Sequence, residues 1–68
     1  MAKREELREL IDISGYKPYI LSEKLGYSRS VVYTWLNGRC EPYAKDMLRL
    51  AKVLDVPVEK IVRIFGED

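Results

Sequence analysis

The chain has no histidine and a single cysteine, Cys40, among its 68 residues. With one cysteine it can close no internal disulfide, and without histidine it lacks the usual ligands of a zinc site, so no metal is expected. The same shortages remove the Ser/His and Cys/His pairs that activate nucleophiles, and no glycine-rich phosphate loop is present. Catalysis, a cofactor and a small-molecule substrate are therefore not expected. Cys40 reads as a loop bystander; the sharper alternative is a redox sensor, with Arg39 beside it as the supporting feature. No apolar run approaches the about 20 residues needed to span a bilayer, and residues 1–6 lack the apolar stretch of a signal peptide. A cytoplasmic protein with no membrane partner is the expectation. Glutamine is absent and asparagine occurs once, at Asn37, a composition that leans toward a thermophilic source.

What is present describes one small soluble domain over residues 1–68, with 47% hydrophobic and 34% charged residues. A core of this size leaves a narrow margin of stability, so helix caps and any subunit interface carry weight. The net charge of +1 is unevenly spread. Residues 1–15 set Lys3, Arg4 and Arg8 against Glu5, Glu6, Glu9 and Asp12, and residues 46–68 are likewise slightly acidic. Residues 16–45 set Lys17, Lys24, Arg29, Arg39 and Lys45 against only Glu23 and Glu41. A partner rich in phosphate would meet that middle segment.

The periodicity is helical throughout, with no strand alternation, repeat or linker. Leu7, Leu10 and Ile11 mark a first helix over residues 3–13, closed by Ser14 and Gly15, with Arg4, Glu5, Arg8, Glu9 and Asp12 on a solvated outer face. Leu21 and Leu25 share a face of a second helix over residues 18–25, and Gly26 follows where positive φ is needed. Ser28 offers a hydroxyl cap to a third helix over residues 29–37, whose Val32, Trp35 and Leu36 form an apolar face. Ser22 is small where the second and third helices approach. Met47, Leu50, Ala51 and Leu54 mark a fourth helix, and Val58, Ile61, Val62 and Phe65 a fifth, which Pro57 opens. Ile64 lies beside that last stripe, either as part of a broad core face or as a partner surface.

The spacing within residues 17–38 is that of two short helices joined by a tight turn. The second presents Arg29, Ser30, Tyr33 and Thr34 on its polar side, an arrangement suited to the major groove of DNA. Arg29 can donate two hydrogen bonds to guanine O6 and N7, and Thr34 can offer a methyl to thymine or a hydroxyl to either base type. A phosphate contact is the alternative for Arg29 and for Tyr33.

On the joint pattern of Leu21, Ser22, Leu25, Gly26, Tyr27, Val32 and Trp35, the chain resembles the helix-turn-helix family of phage Cro and CI repressors, the XRE-like family. Asn37-Gly38-Arg39 followed by Pro42 is similar to that family's loop after the recognition helix, and the likeness covers about residues 7–65. Three positions depart from it: Pro18 stands where Gln is common, Ser22 replaces Ala, and Leu36 replaces Glu. The resemblance implies an all-α, lambda-repressor-like bundle of about five short helices around a central helix-turn-helix. It implies base reading by Arg29, Ser30, Tyr33 and Thr34, and phosphate contacts from Lys17, Tyr19, Asn37, Arg39, Tyr43 and Lys45. The motif core would be Leu21, Ser22, Leu25, Gly26, Val32 and Trp35. The implied function is a double-stranded DNA-binding transcriptional regulator of prokaryotic or phage type, a repressor pairing weakly through Ile64 as a homodimer that DNA completes. The rival is the same fold retained for protein contact, as in an antitoxin-like or scaffold subunit.

Overall fold

A computed structural model of the chain describes residues 4–66. Lys3, where the sequence starts the first helix, and Glu67 and Asp68 lie outside the described residues. Five helices follow in order: α1 (Glu5–Ser14), α2 (Pro18–Lys24), α3 (Val31–Asn37), α4 (Ala44–Leu54) and α5 (Val58–Gly66). No strand occurs among the described residues. The bundle measures 25 × 23 × 22 Å along its principal axes.

α1 ends as its sequence dictates. Gly15 takes φ +84° and its N–H donates to Asp12, while the Ser14 hydroxyl donates back to the Ile11 carbonyl at 2.6 Å. α2 begins on Pro18, whose missing N–H costs nothing in the first turn. α2 and α3 have seven residues each, too few to persist alone in water, so packing must hold them. They pack on each other, α4 packs on α5, and α1 lies against α3, α4 and α5. Between them sits one core containing Leu7, Ile11, Leu21, Leu25, Val32, Trp35, Leu36, Leu50, Leu54, Ile61, Ile64 and Phe65. Trp35 stands edge-on to Tyr27 and to Phe65, with centroids 6.3 and 6.4 Å away.

Four local expectations are corrected. α3 starts at Val31 rather than at residue 29, because residues 28–30 form a tight turn in which the Val31 N–H reaches the Ser28 carbonyl at 3.3 Å. No side-chain cap hydrogen bond comes from Ser28 or from Ser30, the residue at the N-cap. Arg4 is buried rather than on the outer face of α1, because it precedes the helix and does not follow its period.

The fourth correction concerns Ile64, which is 5% exposed, whereas Val62 is 50% exposed. At about 100° per residue, Ile64 lies roughly 60° from the fully buried Ile61 and Val62 roughly 100°. α5 packs on both α1 and α4, so its buried arc is broad and centred on Ile61, and it takes in Ile64 while leaving Val62 outside. Ile64 is a core residue of its own chain and offers no surface to a partner.

Candidate nucleic-acid interface

Gly26 sets the geometry between the two short helices. Its φ of +86° is in the left-handed region, where a side chain is strained and glycine is not. The Tyr27 N–H then returns to the Ser22 carbonyl at 2.9 Å, which ends α2 and turns the chain. Ser22, fully buried, joins the two helices directly: its hydroxyl donates to the Pro18 carbonyl at 3.1 Å and accepts the Val32 N–H at 3.0 Å. The hydroxyl that caps α3 therefore comes from α2.

Two arginines fasten the motif to the rest of the bundle. The Arg4 N–H donates to the Leu36 carbonyl at 3.2 Å and its Nη1 to the Trp35 carbonyl at 2.5 Å, at the C-terminal end of α3. The same guanidinium lies 4.7 Å from the centroid of Phe65 and 3.5 Å from Glu41. Arg49 of α4 donates to the Leu25 carbonyl at the end of α2, and pairs with Asp46 at 3.5 Å. Asp46 is itself buried and accepts the Tyr27 hydroxyl at 2.7 Å and the Tyr43 N–H at 3.3 Å. That hydrogen bond to a carboxylate raises the Tyr27 pKa above 10.0, with desolvation adding in the same direction.

With its inner side fixed, the motif presents a polar outer side. Val32, Trp35 and Leu36 are buried, while Arg29, Ser30 and Tyr33 are exposed and Thr34 is half-buried. Arg29 and Ser30 lie in the turn before α3, and Tyr33 and Thr34 in its first turn. The Thr34 hydroxyl donates to the Val31 carbonyl at 2.6 Å, which leaves its methyl and its lone pairs for an outside partner. The Thr34 carbonyl accepts the N–H groups of Arg39 and Cys40, tying the following loop to the helix.

The remaining residues named from the sequence occupy three element ends. Lys17 is the N-cap of α2 and Tyr19 its second residue; Asn37 ends α3 and Arg39 follows Gly38; Tyr43 is the N-cap of α4, with Lys45 just inside. Lys17, Asn37, Arg39, Tyr43 and Lys45 are exposed, and Tyr19 is half-buried. The two acids of this segment are both engaged by arginine, Glu41 by Arg4 and Glu23 by Arg29 at 3.8 Å. Lys17, Arg39 and Lys45 have no ion-pair partner among the described residues. The local surplus of positive charge therefore faces outward.

The sequence did not single out Glu23, Arg4, Asp46 or Arg49 as parts of this assembly. Glu23 and Arg29 fall on different elements, and Arg4 precedes its helix, so no periodicity flags either contact. Asp46 gives a weak signal, since an acid three residues into a helix is a common capping choice. No group of three or more His, Cys, Asp or Glu side chains placed to hold a metal occurs among the described residues.

Two short helices joined through a left-handed glycine, with a buried inner face and a basic outer one, make a helix-turn-helix. The chain matches the Cro/C1-type HTH DNA-binding domain over residues 6–65, nearly its whole length, and it belongs to that family. No match is found among curated proteins or among solved structures. No helix among the described residues is long and apolar enough to cross a membrane.

Proposed function

We propose that this chain is a sequence-specific regulator of transcription that reads double-stranded DNA in the major groove and acts as a repressor in a prokaryote or a phage. One observation carries the reading. The segment that buries Val32, Trp35 and Leu36 holds Arg29, Ser30, Tyr33 and Thr34 on its other side, the side-chain chemistry that reads base edges. Lys17, Asn37, Arg39, Tyr43 and Lys45 meet the phosphates on either side, fixing register without carrying sequence information; Tyr19, half-buried with its ring against the Arg29 guanidinium, is not counted among them. The protein works in the cytoplasm, associated with the nucleoid when bound.

Two copies bind together, weakly paired in solution and completed by the operator. Half-sites in this mode lie about 34 Å apart, and a single copy is 25 Å in its longest dimension, so one copy does not reach both. With Ile64 in the core, the contact between copies lies elsewhere on the surface.

Selection from random duplexes, followed by titration across salt concentrations, tests the reading. Each neutralised phosphate contributes a slope of about −0.9 to log K against log salt, so Lys17, Arg39 and Lys45 give about −3 per copy. Enriched duplexes should carry two half-sites about one helical turn apart. A chain that enriches no sequence and binds DNA without salt dependence is a protein-contact module instead.

A further inference from the structure

Arg29 does not hang free from the turn before α3. Its guanidinium carbon lies 4.8 Å from the centroid of the Tyr19 ring, and its Nε lies 3.8 Å from Glu23 Oε2. Tyr19 and Glu23 stand at i and i+4 on α2, hence on one face of that helix. The arginine reaches across the turn onto that face although 70% of its side-chain surface stays accessible.

The distribution of contacts over the guanidinium matters. The Tyr19 ring lies under the guanidinium carbon, and Nε is the atom paired with the Glu23 carboxylate. The Nη1–Nη2 edge has no hydrogen-bond or ion-pair partner among the described residues. That edge carries the paired donors that match guanine O6 and N7. A long arginine side chain ordinarily loses rotamer freedom when it docks, and an arm already held against a ring loses less.

We propose that Tyr19 and Glu23 are positioning residues for Arg29: they hold its guanidinium against α2 with the Nη edge outward, so that a guanine at one fixed place in each half-site is read by an arm set before binding. The inference rests on the DNA-reading function given above. Tyr19 supplies most of the hold, because a cation–π contact with a ring at 4.8 Å outweighs a pair of exposed charges at 3.8 Å, which fixes little.

The test uses the whole chain and a duplex obtained by selection, with its guanine replaced by adenine in a second duplex. For the wild type, discrimination between the two is the reference. Tyr19→Leu should lower it about two- to five-fold, the range expected for an exposed cation–π contact, while affinity for a random duplex and its salt slope stay unchanged. Tyr19→Phe keeps the ring and should keep the discrimination. In an Arg29→Ala background Tyr19→Leu should have no further effect.

An independent readout needs no DNA: ring currents should move the Arg29 side-chain protons upfield in the wild type and in Tyr19→Phe. Absence of that displacement in the wild type overturns the proposal, whatever the stability of the variants. Equal weakening of guanine, adenine and random duplexes by Tyr19→Leu also overturns it and makes Tyr19 a phosphate contact. Indifference to Tyr19→Leu in a wild type that discriminates overturns the proposal alone. A wild type that shows the displacement but binds no duplex overturns the DNA reading, and the proposal with it.

Discussion

The hydroxyl of Ser22 lies 3.0 Å from the backbone nitrogen of Val32 and accepts its N–H, so α2 caps the helix that follows it. The first N–H groups of a helix have no partner within it, and neither Ser28 nor Ser30 supplies one from its side chain. A hydroxyl from a neighbouring helix does the same work and also fixes the distance between the two. Ser22→Ala is expected to cost about 1–2 kcal/mol, since it leaves a buried N–H unpaired with almost no change in volume. Chemical denaturation checks this, and an unchanged midpoint would remove the cross-helix cap from the account.

Gly26 is required by conformation rather than by space. A Cβ built there would come no closer than 3.9 Å to Arg49 Nη2, an ordinary contact, but the backbone sits at φ +86°. Gly26→Val should therefore destabilise by about 1–3 kcal/mol, and Gly26→Asn by less, because Asn tolerates the left-handed region. Equal melting temperatures for the two variants would count against a conformational origin.

Val62 and Ile64 exchange the roles their sequence positions imply. Ile64→Ala should cost about 2–5 kcal/mol as a core truncation. Val62→Ala, at a half-exposed position, should stay within about 0.5 kcal/mol. Thermal unfolding of the two variants decides the orientation of α5, and the reverse order would return Ile64 to the surface.

The Tyr27–Asp46 hydrogen bond predicts an alkaline limit to stability. The folded-state pKa of Tyr27 is raised above its ordinary 10.0, so its contribution is complete below pH 10.0 and is lost as pH rises through the folded value. Unfolding followed at several alkaline pH values should show this loss in the wild type and a shallower one in Tyr27→Phe. Identical profiles would place the origin of any alkaline loss elsewhere.

Helix faces and the left-handed turn are local properties, written as periodicity and as a glycine in the right place, and Leu21, Val32, Trp35 and Gly26 sit as their spacing implies. Ser22 was legible as small but not as a hydrogen-bonding link, because its partner is ten residues away on another helix. Arg4 looked like surface because charge on an amphipathic helix is normally solvated; its contacts lie on α3 and α5, which no local pattern discloses. On α5, Ile61 and Phe65 are buried as the stripe implies, but Ile64 takes the place the stripe gives to Val62, since the arc buried against two neighbours is centred on Ile61. The hold of Tyr19 and Glu23 on Arg29 crosses a turn, and only the fold reveals it.

If the outer side of residues 29–37 reads bases, Arg29→Ala should show it. Affinity of wild type and variant is measured on a selected duplex and on a random one, in the same salt. Base reading by Arg29 implies a loss of about 1–3 kcal/mol on the selected duplex, a relaxed preference at one base pair per half-site, and nearly unchanged binding to random DNA. Equal weakening on both duplexes would contradict it, because Arg29 would then touch phosphate and the bases would be read, if at all, by other residues.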